Sequence, residues 1–115
     1  MLHKTNRIRK KKDFDVVFKT AQRSAKSFKS NLFVFKTAKN DLGVNRFGFV
    51  VSQKVSKKAV IRNKIKRQLS EAVRPEIEKI KTGTDVVFIA LPGIDKKEFS
   101  EIKKAVSESL KCLNP

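Results

Sequence analysis

Hydrophobic and polar positions recur along this chain with two periods, and the changes between them delimit its elements. From Lys12 to Ala21 the apolar residues Phe14, Val17, Phe18 and Ala21 fall at i, i+3, i+4 and i+7, which predicts a short amphipathic helix. Between Ser24 and Ala38 the residues turn β-branched and aromatic. Leu32, Val34 and Lys36 share one face there and Phe33, Phe35 and Thr37 the other, so two strands are predicted, the first short. Residues 39–45 carry turn chemistry, and Arg46 to Ser52 resumes as a strand in which Phe47, Phe49 and Val51 alternate with Gly48 and Val50. A hairpin between these two strands is expected.

A long helix should follow from about Lys57, with Ser56 as its N-cap and Ile61, Ile65, Leu69, Ala72 and Val73 on its buried stripe. Pro75 lacks an N–H and clashes with the preceding turn. The segment through Lys81 is therefore either kinked at Pro75 or restarted with it at the first position, and Thr82-Gly83 ends it. Asp85 to Leu91 is almost wholly apolar, as expected of a strand covered on both faces, and Leu91-Pro92-Gly93 stops it. From Lys96 to Leu113 a stripe of Phe99, Ile102, Ala105, Val106, Leu110 and Leu113 predicts a closing helix. The order α-β-β-β-α-β-α, without internal repeat or dividing linker, reads as one α+β domain over residues 1–115, a sandwich with a four-stranded sheet. The four glycines nowhere form a phosphate-cradling loop, which argues against nucleotide-driven chemistry.

Charge changes the picture more than composition does. The 115 residues hold 28 Lys plus Arg against 11 Asp plus Glu, a net charge of +17. Residues 1–67 carry 20 of the cations and 3 of the acids, whereas the remainder holds 8 of each, so the whole excess lies in the first part. Seven of the nine Phe fall there too, interleaving aromatic surface with positive charge as single-stranded nucleic acid requires. The plainer role of any one of these rings is to fill the core. Residues 1–10 form a basic arm, expected to be flexible without RNA. No apolar run approaches the roughly 20 residues of a membrane span, and the basic N-terminus has no secretory pattern, so a cytoplasmic protein without a membrane partner is expected. Cys112 and His3, one of each, can supply neither a disulfide nor a four-ligand zinc site, and no catalytic constellation or obligate protein partner is evident.

The helix after Lys57 concentrates the signal. With Arg62 set at 0° and about 100° per residue, Lys66, Ser70, Asn63, Arg74 and Arg67 fall between about 40° and 140°, a polar face bordering the buried stripe. From Lys54 to Arg67 there are seven bases and no acid, unlike a solvated face, which intersperses both signs. Arg62 and Arg67 offer planar forks for phosphate, Lys66 a point charge and Asn63 a donor and an acceptor.

Within this helix Lys58-Ala59-Val60-Ile61-Arg62-Asn63-Lys64-Ile65-Lys66-Arg67 closely resembles the RNR signature of the bacterial ribonuclease P protein subunit. Lys11-Lys12-Asp13-Phe14 with Phe18, Phe47-Gly48-Phe49-Val50-Val51-Ser52 and Asp85-Val86-Val87-Phe88-Ile89-Ala90 extend the likeness over about residues 7–110. The resemblance implies a left-handed βαβ crossover. It also implies the small subunit of a ribonucleoprotein that cuts the 5′ leader from precursor tRNA, with catalysis and Mg²⁺ binding in the RNA subunit. Arg62, Asn63, Lys66 and Arg67, joined by Lys54 and Lys58, would then face the RNA subunit and the substrate near the cleavage site. Phe14 and Phe18 match aromatics of the cleft that takes the single-stranded leader, and Phe35 is the best match for a cleft aromatic on the strand. Two departures reduce the implied phosphate contacts: Gln53-Lys54 keeps only the second of a usual Lys pair, and Ser70 stands where an Arg is common. Pro75 is unexpected in the family's long helix.

The alternatives differ in what they need. A ribosome-associated or general RNA-binding protein would use the same helix without preferring a 5′ leader. A protein-only nuclease would need clustered carboxylates, and Asp13 and Asp15, the close pair of the basic part, point apart at helical spacing. A DNA-binding role leaves the Phe-rich sheet unexplained.

Overall fold

The computed structural model describes residues 6–8, 11–12, 14–15, 27–40, 42–80 and 83–111. Four strands, β1 (Ser27–Lys29), β2 (Phe33–Lys39), β3 (Arg46–Val50) and β4 (Thr84–Ala90), form one sheet in the order β1-β2-β4-β3. Two helices, α1 (Ala59–Val73) and α2 (Phe99–Leu110), complete a mixed α+β architecture, with short 3-10 turns at Arg74–Lys79 and Ile94–Lys96. The first predicted helix is described at residues 11–12 and 14–15, which are helical; Val17, Phe18 and Ala21 lie outside the described residues.

The expected hairpin between β2 and β3 does not form, because β4 lies between them. β2 runs antiparallel to β4, pairing Phe33 with Ala90 through Lys39 with Thr84, and β3 runs parallel to it, pairing Arg46 with Asp85 through Val50 with Ile89. The physical reason lies in β4, whose Val86, Val87 and Phe88 are all buried. A strand apolar on both faces belongs at the centre of a sheet, with its ladders paired on both sides. The hairpin of this sheet is the one joining β1 to β2, where the Ser30 hydroxyl accepts the N–H groups of Leu32 and Phe33, both at 3.2 Å.

Alternation divides the core in two. On one face Phe33, Phe35, Phe47, Val86 and Phe88 meet Ile65, Leu69 and Val73 of α1 and Ile102, Val106 and Leu110 of α2. Phe88 centres this layer: Phe33 and Phe35 meet it edge-on with centroids at 5.2 and 5.5 Å, and Phe49 stacks on it at 5.7 Å. On the other face Ile8, Ala38 and Val87 form a smaller cluster with Phe14, Val50 and Ile89.

Part of the N-terminal arm belongs to this structure. The Ile8 N–H donates to the Phe47 carbonyl at 2.9 Å, Arg7 bridges Phe47 in parallel, and the Asn6 amide donates to the Asn45 carbonyl at 2.8 Å. Residues 6–8 of the basic arm thus lie beside β3, anchored by the buried Ile8 side chain. One end of the sheet is fixed by Asp85, which accepts from Arg46 Nε at 2.9 Å, Arg46 Nη2 at 2.7 Å and the Asn40 amide at 2.6 Å. Such a buried bidentate pair fixes register, since losing either partner strands the other charge.

α1 begins later than predicted. Lys58 is its N-cap and makes no side-chain cap; the Ser56 hydroxyl instead accepts the Lys58 N–H at 3.2 Å, one step ahead of the helix. At the other end Pro75 resolves as a restart. α1 stops at Val73, and the chain continues as a 3-10 turn with Pro75 among its first residues, where a missing N–H costs nothing. The closing helix also begins later than the predicted Lys96, because the 3-10 turn ends at Lys96 and the chain is extended at Lys97 and Glu98; Leu113 lies outside the described residues.

Candidate nucleic-acid interface

Burial of Ile65, Leu69, Ala72 and Val73 fixes the rotation of α1 against the sheet and α2, and so decides which polar residues emerge. Asn63, Lys64 and Arg67 are exposed and Lys66 is half-buried. Asn63, Lys66 and Arg67 surround an open depression of about 420 Å³ together with Val60, which is 77% exposed. Lys54 lies in the exposed turn after β3 and Lys58 at the exposed start of α1. Among the described residues no carboxylate pairs with Lys54, Lys57, Lys58, Lys64, Lys66 or Arg67, and the first turn of α1 holds no acid. The amide dipoles of α1 add positive potential at that same end.

Three members of the predicted face stand differently; Arg74 lies past the end of α1 and pairs with Glu71 at 3.4 Å. Ser70 is buried, and its hydroxyl donates to the Lys66 carbonyl at 2.8 Å, closing a bond within the helix where the resemblance would have placed a cation. Arg62 is half-buried and turned back, with Nη1 donating to the carbonyls of Ser56 and Lys57, both at 3.0 Å. Through Nη1 it straps the β3–α1 connection. The exposed arc is thus displaced toward Val60 and Lys64, which the sequence reading missed. The same helical wheel places them at about 160° and 200°, beside Arg67.

The opposite face of the sheet holds the second candidate surface. Phe14 is half-buried and brings one edge of its ring over Gly48; a Cβ at residue 48 would stand 2.7 Å from Phe14 Cζ. Beside it are the half-buried Val34, Lys36, Val50 and Ile89, with Val34 paired to Ile89 and Lys36 to Val87. Phe35 is not among them. It is fully buried against Phe88 under the helices, so its assignment as a cleft aromatic is corrected. Side chains of a strand alternate between faces, and a residue one position from Val34 and Lys36 must face the other way. Phe18 lies outside the described residues.

Comparison with known proteins bears on both surfaces. The Ribonuclease P family profile matches residues 2–114. The ribonuclease P protein component of Clostridium botulinum strain 657 is 40% identical over 109 residues, covering 94% of each chain. That of Alkaliphilus oremlandii is 38% identical, covering 95% of this chain and 91% of the relative. Among solved structures, the Staphylococcus aureus RNase P protein superposes with a TM-score of 0.81 at 30% identity, covering 93% and 94% of the two chains. The Thermotoga maritima protein gives 0.80 at 30% identity, covering 95% and 98%. The basic helix and the Phe14 sheet face are thus carried on a shared fold by a chain that belongs to the bacterial ribonuclease P protein family.

Proposed function

We propose that this chain, as a subunit of the tRNA-processing endoribonuclease, works as an electrostatic and positional clamp. The exposed arc of α1, Asn63, Lys66 and Arg67 with Lys54, Lys58 and Arg62, binds the RNA subunit near the cleavage site. The sheet face around Phe14 receives the single-stranded 5′ leader of precursor tRNA, with Phe18 as the second aromatic that the family resemblance implies, and Val34, Lys36 and Ile89 take the place of Phe35. The observation that carries this reading is the uncompensated charge of the turn before α1 and its first half, seven cations between Lys54 and Arg67 without an acid. Neutralising phosphates raises affinity, and holding the leader turns cleavage into a reaction of positioned groups.

The protein's own residues supply binding and orientation. Among the described residues no three His, Cys, Asp or Glu side chains gather as metal ligands; following the family resemblance, we assign the Mg²⁺ of the reaction to the RNA subunit. Among the same residues no helix is long and apolar enough to cross a membrane, and we place the protein in the cytoplasm with its RNA partners. The four-stranded sandwich of residues 1–115 carries a left-handed crossover from β3 through α1 to β4, in line with the family resemblance.

The test is cleavage of a 5′-labelled precursor tRNA at low Mg²⁺ by a bacterial ribonuclease P RNA alone, this protein alone, and both. Cleavage at the mature 5′ end by the pair alone is expected. Cleavage by the protein alone overturns the mechanism, and no stimulation of a folded, compatible RNA returns the chain to a general RNA-binding role.

A further inference from the structure

Phe99 opens α2 on the stripe that α2 buries, yet it is 38% exposed, whereas Ile102, Val106 and Leu110 further along are at most 1% exposed. Its ring stands between two open grooves. One, of about 300 Å³, is lined by Phe99 with Lys64, Arg67, Gln68 and Glu71 of α1. The other, of about 600 Å³, continues past the ring along Arg74, Ile77 and Lys103 and includes the carboxylates of Glu71 and Glu78, so it is the less suited of the two to a phosphate.

We propose that Phe99 with Lys64, Arg67 and Gln68 forms a seat for an unpaired nucleotide of the ribonuclease P RNA subunit, extending the α1 interface across to α2; this rests on the reading of α1 as the face that meets that RNA. An accessible aromatic flanked by two cations on one groove is what a single-stranded nucleotide needs: a platform for the base and partners for its phosphate. The Gln68 amide offers a donor and an acceptor to a base edge. Glu71 is the one acid of this groove, and the Arg74 guanidinium 3.4 Å away offsets its repulsion of a phosphate. A second copy of the chain fits poorly, since each carries +17 and would bring cations against Lys64 and Arg67.

The test measures affinity of the full-length protein for an intact bacterial ribonuclease P RNA, with thermal melting of each variant. Phe99→Leu keeps the apolar volume but removes the π face. It is expected to weaken binding on the order of tenfold with melting unchanged, while Phe99→Tyr binds as the unaltered protein. Lys64→Ala is expected to reduce the log–log salt slope by about 0.7. Wild-type affinity for Phe99→Leu alongside weakened binding by Arg67→Ala overturns the seat and leaves the α1 interface standing; wild-type affinity for both removes the interface as well. Equal losses for Phe99→Leu and Phe99→Tyr would mark a packing role and overturn the seat. A wild-type dimer in sedimentation that Phe99→Leu dissolves would overturn it in favour of a second copy.

Discussion

At the scale of single residues, the placement of Phe14 depends on an absence of atoms. Gly48 has an ordinary strand conformation, so its value is not backbone freedom; it leaves the height of one methyl group for the Phe14 ring to lie against the sheet. Gly48→Ala should cost about 1–3 kcal/mol in urea unfolding, because the ring must move from a site also bounded by Ile8. It should also weaken the affinity gained from a longer leader, and the Gly48→Ala, Phe14→Ala double variant should lose less stability than the sum of the singles. The sequence pattern placed Gly48 and Phe14 on a strand and a helix but could not show their contact, which joins residues far apart in the chain. Phe35 marks a different limit. Its alternation with Val34 and Lys36 was legible, but which of the two faces lies under the helices is settled only by packing.

At the scale of elements, α1 is built against its own stability. The last turn lacks a base as the first lacks an acid, and cations crowd the end where the amide dipoles are already positive. Placing an acid at the exposed first position, Ala59→Glu, is expected to raise the melting temperature through a gain of about 0.3–1 kcal/mol, and to lower affinity for the ribonuclease P RNA. Opposite shifts in melting and binding would show that function, and not helix formation, chose this charge. The apolar stripe of α1, the stop at Pro75, and the doubly buried β4 were all visible as periodicity. Strand order was not, because a turn-rich segment between two strands reads the same whether they pair directly or admit a third strand between them. Asn45 illustrates what that segment does instead: its side chain donates to the Ile77 and Ile80 carbonyls and accepts the Thr84 N–H, tying the β2–β3 connection to the chain beyond α1.

At the scale of the molecule, a net charge of +17 on 115 residues makes the folded state self-repelling until an anion arrives. Added salt should therefore raise the melting temperature of the free protein by screening, and stoichiometric RNA should raise it further by mass action. Scanning calorimetry across a salt series, with and without the RNA, checks both; a melting point indifferent to salt would mean that the excess charge is already compensated internally. The arm segment docked at residues 6–8 has a consequence of another kind. β3 is the outer strand of the sheet, and its Arg-Phe-Gly-Phe-Val sequence would offer an open ladder to any neighbouring chain. By laying Arg7 and Ile8 along Phe47, the N-terminal residues block part of that ladder with a segment rich in Lys and Arg. That segment thereby covers part of the outer edge of the finished sheet with charge, guarding folded molecules against edge-to-edge pairing with one another.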